Sequence, residues 1–243
     1  MRVTGVKKLI VMARIIITTI INASITSFGC LFYKKRNRRY MNKRIGIWNR
    51  NMLNIIKTKL KIMDLHNFTF RDDRTYVIMS NHLSLYDIPL IFATFPGASV
   101  RMIAKKELFS IPIFGWGIKA GESISIDRNN HRQALRDLEA AKQKMLSGIK
   151  IWIAPEGSRS RTGKMGPFKK GGFKLALSAK AIIVPVAIIG SDKILPAGTF
   201  DFGVGESIQI HICQPVDTSN YSLKELSELM QVVREQIQAH LED

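Results

Sequence analysis

Cysteine is scarce in this chain. Cys30 and Cys213 are the only two among 243 residues, so neither a disulfide framework nor a cysteine-spaced metal site is present, and a reducing compartment fits. Acidic residues are scarce as well: 19 Asp and Glu face 37 Lys and Arg, a formal charge of +18. Such a surface attracts polyanions, either nucleic acid or an anionic membrane. Aromatic residues are not interleaved with the basic ones in any long tract, and no zinc-finger or RNA-binding signature occurs. Nucleic acid therefore has bulk charge alone in its favour, and membrane lipid is the expected partner. Internal repeats and low-complexity segments are missing. No metal-ligand spacing is found, so no metal is expected. No Gly-x-Ser-x-Gly elbow occurs, which argues against a serine hydrolase.

A chain of this length can bury one good core with a small appendage. Residues 1–70 read as membrane-associated helices with a basic linker, and residues 71–243 as an α/β domain. Leu9 to Tyr33 is a long apolar stretch interrupted by Arg14. A bilayer-crossing helix needs about 20 residues, and Arg14, near one end, can snorkel to the interface. Lys34, Lys35, Arg36, Arg38, Arg39, Lys43 and Arg44 then outweigh Arg2, Lys7 and Lys8 on the other side. By the positive-inside rule the rest of the protein faces the cytoplasm. A signal peptide is the competing reading, but Arg14 breaks its apolar region and no convincing small-x-small cleavage site follows.

Ile45 to Leu65 is expected to be helical. Trp48, Met52, Ile55, Ile56, Leu60 and Met63 recur at helical spacing, and Arg44, Arg50, Lys57, Lys59 and Lys61 supply a basic side. Such a helix either lies on a membrane surface or packs on the domain. From Arg74 onward the pattern is α/β. Strands are expected at 75–80, 100–104, 123–126, 149–154, 182–189 and 207–212, and helices at 86–94, 131–147, 172–179 and 223–241. Asn130 with Gln133, and Ser222 with Glu225, read as capping boxes. Pro185 interrupts a strong strand and predicts an edge, a bulge or a strand end. The expected fold is a mixed, partly parallel sheet covered by helices, with an N-terminal helical membrane anchor.

Chemistry collects just past the strand ends. His82 stands five residues before Asp87 in Asn81-His82-Leu83-Ser84-Leu85-Tyr86-Asp87. A histidine can take a proton from a hydroxyl while an aspartate holds one tautomer and stabilises the imidazolium. Lys105 and Lys106 can hold an anion or form a solvated turn. Asp127-Arg128 reads as a structural ion pair or a binding pair. In Pro155-Glu156-Gly157-Ser158-Arg159-Ser160, arginine can grip a phosphate and glycine admits close backbone approach. Phe168-Lys169-Lys170-Gly171-Gly172 opens a helix and is another anion site.

In order and spacing these clusters resemble the membrane-bound glycerolipid acyltransferases, specifically 1-acyl-sn-glycerol-3-phosphate acyltransferases of the bacterial type. Asn81-His82 through Asp87 is similar to the His-x4-Asp block. Lys105 to Gly115 with Gly121 to Arg128 is similar to the second block, Pro155 to Ser160 to the third, and Val184-Pro185-Val186 to the fourth. The likeness covers about residues 75 to 190. The third block departs from the family pattern: Ile153-Ala154 precede Pro155 where Phe is usual, and Ser158 stands for Thr.

The resemblance implies transfer of an acyl group from acyl-CoA or acyl-carrier protein to the free hydroxyl of lysophosphatidate, giving phosphatidate, with no cofactor beyond that co-substrate. It implies His82 as general base with Asp87. It implies Glu156, Gly157, Ser158 and Arg159, assisted by Lys105 and Arg128, around the acceptor's glycerol phosphate. It also implies the inner membrane, with the catalytic domain on the cytoplasmic face. The alternatives are acylation of another lysophospholipid or an amino-acid lipid, and a non-catalytic membrane lipid-binding protein on the same fold.

Overall fold

The computed structural model describes residues 2–32, 38–127 and 129–241. Arg128 and the basic residues 34–36 lie outside them. The apolar N-terminal stretch is one long helix, α1 (Gly5–Phe32), followed by α2 (Arg38–Ile55). Here one expectation is corrected. The pattern over 45–65 predicts a single helix, yet α2 stops at Ile55 and residues 59–64 form strand β1 (Lys59–Asp64). Lys57 takes a left-handed φ of 53°, which ends the helical path. β1 pairs with only one neighbour and buries no residue fully, so its burial shows no alternation to separate it from a basic helix.

Thereafter strands and helices alternate: β2 (Tyr76–Ser80), α3 (Asp87–Thr94), β3 (Val100–Lys105), α4 (Phe114–Ala120), β4 (Ile124–Ile126), α5 (His131–Leu146), β5 (Lys150–Ile153), α6 (Lys170–Ser178), β6 (Ile182–Ile189), α7 (Ser191–Ile194), β7 (Ser207–Ile212), β8 (Val216–Asp217) and α8 (Leu226–Gln238). The sheet order is β1-β7-β6-β2-β5-β3-β4, with β8 also on β6. Strands β2 to β6 are mutually parallel, and β7 and β8 run antiparallel to β6. The fold is therefore a mixed, mostly parallel sheet covered by helices.

Period-two alternation divides the core. Tyr76, Ile78, Val184, Val186 and Ile188 face one cluster with Met52 and Ile55 from α2 and Ile91 from α3. Val77, Met79, Ile183 and Ala187 face the other, with Ala141, Phe173, Leu229 and Val233 from α5, α6 and α8. Each buried Val, Leu, Ile, Met or Phe among them is worth about 1.5–3 kcal/mol. Pro185 is in neither an edge strand nor a strand end; β6 lies inside the sheet. Its carbonyl accepts from Cys213 N–H at 3.0 Å, so its nitrogen faces the same side, at the break between β7 and β8. The missing donor falls where no ladder partner stands.

α1 is held at its start to the α/β domain and along its later turns to α2. Val3 N–H donates to Phe202 O at 2.9 Å, and Tyr40 of α2 donates to Ile25 O at 3.1 Å. Its outer side leaves Val6, Leu9, Ile10, Ile17, Ile21 and Phe28 exposed. α4, unexpected from its glycine content, packs beneath it. A Cβ on Gly117 would meet Ala23 of α1 at 2.6 Å, so glycine there sets the distance between the two helices.

Candidate active site

The parallel strands deliver their C-terminal ends to one edge of the sheet, where ligands of open α/β folds bind. At the end of β2, the Asn81 side chain pairs with both backbone groups of Ile188, each at 2.8 Å, continuing the β2–β6 register by side chain. The chain then turns and presents His82. Its Nδ1 lies 2.7 Å from Asp87 Oδ2, which also accepts from Leu83 N–H at 2.8 Å and Ser84 N–H at 2.9 Å. Asp87, in the first turn of α3, is wholly buried, while the His82 side chain keeps 17% exposure. An oxygen taking two backbone donors is an acceptor, so the network assigns the proton to His82 Nδ1. Nε2 is left with its lone pair free to take a proton. Trp152 on β5 meets the imidazole edge to face at 6.0 Å and is itself held by Ser80 Oγ at 3.0 Å.

After β5 the chain forms a loop from Pro155 to Lys169, closed at its base by Lys169 N–H to Pro155 O at 2.8 Å. Glu156 turns inward. Its Oε1 accepts from His82 N–H at 2.8 Å and its Oε2 from Gly166 N–H at 2.7 Å. Burial raises its pKa above the ordinary carboxylate value, the backbone donors opposing the rise. Ser160 N–H returns a bond to His82 O at 2.7 Å. Gly157 holds φ +74°, and a Cβ there would press on Lys169 at 3.0 Å. Ser158, Arg159, Lys164 and Lys169 line an open cavity of about 380 Å³ with Glu156 and Phe168. Three cations and a hydroxyl around one hollow suit an anion such as a phosphate monoester.

The structure thus brings together His82, Asp87, Glu156, Gly157, Ser158 and Arg159. Lys105 is exposed at the end of β3 and lines neither this cavity nor the apolar one described below. Lys106 pairs with Asp127 at 2.6 Å, which holds that carboxyl below its ordinary range. Lys169, expected in a separate anion site at the start of a helix, lines this same cavity, and Trp152 and Lys164 join the site with no expectation attached to them. Trp152 lies in an apolar run, and nothing in its spacing says that β5 will be the neighbour of β2.

A second cavity, of about 320 Å³, is apolar. Met12 and Thr19 of α1, Trp48 of α2, Phe92 of α3, Met102 of β3 and Ile118 of α4 line it, and Leu85 and Tyr86 carry it to the His82 loop. Among the described residues, no group of three His, Cys, Asp or Glu is placed to hold a metal ion.

A His-Asp pair at the strand ends of an open α/β sheet, on a loop that adjoins a cationic cavity through Glu156 and Ser160 and an apolar one through Leu85 and Tyr86, describes a group-transfer site for an amphiphile. The acyltransferase family profile matches residues 59–189, which run from β1 to the end of β6. The chain belongs to the acyltransferase family. It is 30% identical over 165 residues to the chloroplastic 1-acyl-sn-glycerol-3-phosphate acyltransferase BAT2 of Brassica napus, covering 68% of this chain and 47% of that protein. It is 32% identical over 168 residues to the 1-acyl-sn-glycerol-3-phosphate acyltransferase of Saccharomyces cerevisiae, covering 68% of this chain and 54% of that one. The chain spans about half the length of these curated relatives. The crystal structure of the 1-acyl-sn-glycerophosphate acyltransferase PlsC of Thermotoga maritima superposes with a TM-score of 0.81 at 27% identity, covering 97% of this chain and 93% of that one.

Proposed function

We propose that the protein transfers a fatty acyl group from a soluble thioester, acyl-CoA or acyl-carrier protein, to the sn-2 hydroxyl of 1-acyl-sn-glycerol-3-phosphate, forming phosphatidate. The observation that carries this reading is the free Nε2 of His82, fixed by the Nδ1–Asp87 bond, on a loop whose backbone is bonded to Glu156 and Ser160 of the cationic hollow and whose Leu85 and Tyr86 line the apolar one. His82 Nε2 takes the acceptor's hydroxyl proton as the oxygen attacks the thioester carbonyl. The C–S bond then breaks, and the imidazolium returns the proton to the leaving thiolate. A positioned base of this kind is worth about 10²–10⁴ in rate. Arg159, Lys164 and Lys169 hold the phosphate, and the apolar cavity takes an acyl chain. Backbone N–H groups at the turn after left-handed Gly157 are the proposed donors to the thioester oxyanion.

The acceptor lives in a bilayer, and α1 suits that location. It is apolar over Gly5–Cys30, but its ties to Phe202 and to α2 favour a helix lying in the interface over one that crosses. The basic surface attracts anionic lipid and a negatively charged donor. In this reading the protein sits on the cytoplasmic face of the inner membrane, where the anionic leaflet attracts its basic surface.

The test is thiol release from a long-chain acyl-CoA, and separately from acyl-carrier protein, by detergent-purified protein with and without lysophosphatidate. Acceptor-dependent release that disappears in His82→Ala supports the reading. Release in neither donor, or release unaltered by the substitution, overturns it.

A further inference from the structure

Arg234 lies on α8, outside the matched family region and outside all four sequence blocks. Its side chain nonetheless reaches the Pro155–Lys169 loop. Nη1 donates to Gly166 O at 2.5 Å and Nη2 to Met165 O at 3.0 Å. The guanidinium also covers the Phe168 ring at 5.3 Å, and that ring stacks on Phe173 at 6.0 Å. One side chain therefore grips residues 165, 166 and 168.

Gly166 is the node. Its carbonyl takes Arg234, and its N–H goes to Glu156, whose other oxygen takes the His82 N–H. The near limb of the loop is tied to His82 directly through Ser160 N–H. The far limb carries Lys164 and Lys169, and besides the Gly166–Glu156 bond it is tied within the loop by Ser160 Oγ to Lys164 O at 2.7 Å, Lys164 N–H to Thr162 Oγ1 at 3.4 Å and Lys169 N–H to Pro155 O. Arg159, Arg161, Lys164, Lys169 and Lys170 repel one another across this short loop and would spread it. The planar fork of Arg234 opposes that spreading from a helix whose Leu229, Val233 and Ile237 are locked in the core. An ammonium cannot bond two successive carbonyls and lie flat on a ring at the same time.

We infer that Arg234 is a positioning residue for the acceptor's phosphate: it fixes the far limb of the 155–169 loop so that Lys164 and Lys169 converge with Arg159 on one anion. This rests on the proposed acceptor site. Arg234 touches no substrate and acts through Gly166, Met165 and Phe168.

The experiment compares the full chain with Arg234→Gln, Arg234→Lys and, as a control three residues earlier on the helix, Gln231→Ala. In steady-state kinetics the acceptor KM should rise about tenfold or more in both Arg234 variants, as a displaced anchoring group does, while the donor KM stays within about twofold. Trypsin supplies a readout that needs no turnover. Arg161 and Lys164 are exposed, and cleavage there should be faster in both variants but not in the control. Glycerol 3-phosphate should protect the loop in the wild type and require about tenfold more in the variants, matching the KM change. If the wild type transfers nothing to lysophosphatidate, the functional reading fails alone, and the protection arm still decides the role of Arg234. Unchanged acceptor KM and unchanged protection overturn the inference. So does an equal rise in both KM values, which would mark Arg234 as a general stability residue.

Discussion

The backbone N–H of His82 donates to Glu156 Oε1 at 2.8 Å, while the other oxygen of that carboxylate takes Gly166 N–H at 2.7 Å. Glu156 is 6% exposed. Both oxygens are engaged with backbone, so its action on an acceptor runs through the positions of His82 and the loop.

Glu156→Gln should therefore lower stability and kcat more than it changes acceptor KM. An amide accepts at one end only, so one buried N–H would face an NH₂ group, a loss of about 1–3 kcal/mol. Thermal unfolding and kcat measured on the same preparation check this. The pH dependence has a definite sign. Burial raises the folded pKa above the ordinary 4.5, so the fold binds this proton more tightly than the unfolded chain does. The group's contribution is fully present below the unfolded value and is lost as pH rises through the folded one. The variant should show a flatter stability profile from about pH 4 upward.

Asp87→Asn tests charge against shape. Asp87 Oδ2 takes three donors, and Oδ1 is buried without a partner among the described residues. An asparagine can place its oxygen at the Oδ2 position and keep the turn. Its neutral amide no longer stabilises the imidazolium, so kcat should fall about 10²–10⁴ with the fold retained. Circular dichroism with acyl-transfer rates separates the two effects.

His82 and Asp87 were legible in the sequence because the pair is local: five residues span the bond, and the turn between them supplies its own N–H donors. The parallel part of the sheet was legible for the same reason, each strand being a short apolar run. β1 was not, because it is an edge strand with Lys59 and Lys61 facing solvent, which protects an edge and imitates a basic helix. α4 was hidden by Gly115 and Gly117, which read as loop. They serve close approach instead: a Cβ on Gly115 would meet Phe109 O at 2.2 Å. The partners of Glu156 and the reach of Arg234 depend on contacts 10 to 74 residues apart, which a local pattern cannot encode.

Arg101 and Glu122 form a buried pair at 3.4 Å that joins β3 to the turn before β4. Arg38 reaches the same carboxylate at 3.5 Å, and Asn42 Oδ1 accepts from Arg101 at 2.9 Å, so the start of α2 is fastened to the domain here. Burial pulls Arg101 down to about 10, against the pull of Glu122. Arg101→Met should destabilise by leaving the buried Glu122 to Arg38 alone, by less than the about 3–5 kcal/mol of a fully unpaired buried charge, and Arg101→Met with Glu122→Gln should recover most of it. Denaturant unfolding of the single and double variants measures the coupling.

Lys106→Met isolates the ion pair that Lys106 makes with Asp127. That bond lowers the carboxyl below 3.8 and raises the ammonium above 10.5. A lowered acid contributes stability above its unfolded pKa and loses it as pH falls through the folded value. A raised base contributes below its unfolded pKa and loses it as pH rises through the folded value. The Tm gap between wild type and variant should be flat across neutral pH and close at both extremes, below about 4 and above about 10. Lys106 is half exposed, so the gap is small and should shrink further in 1 M salt, where screening reaches about 3 Å. Asp127 also accepts from Asn129 and Asn130 N–H, which shape the turn leading into α5. Those bonds survive in Lys106→Met, so activity should hold while the Tm gap follows pH. A loss of activity without a Tm gap would instead make the lysine a substrate contact.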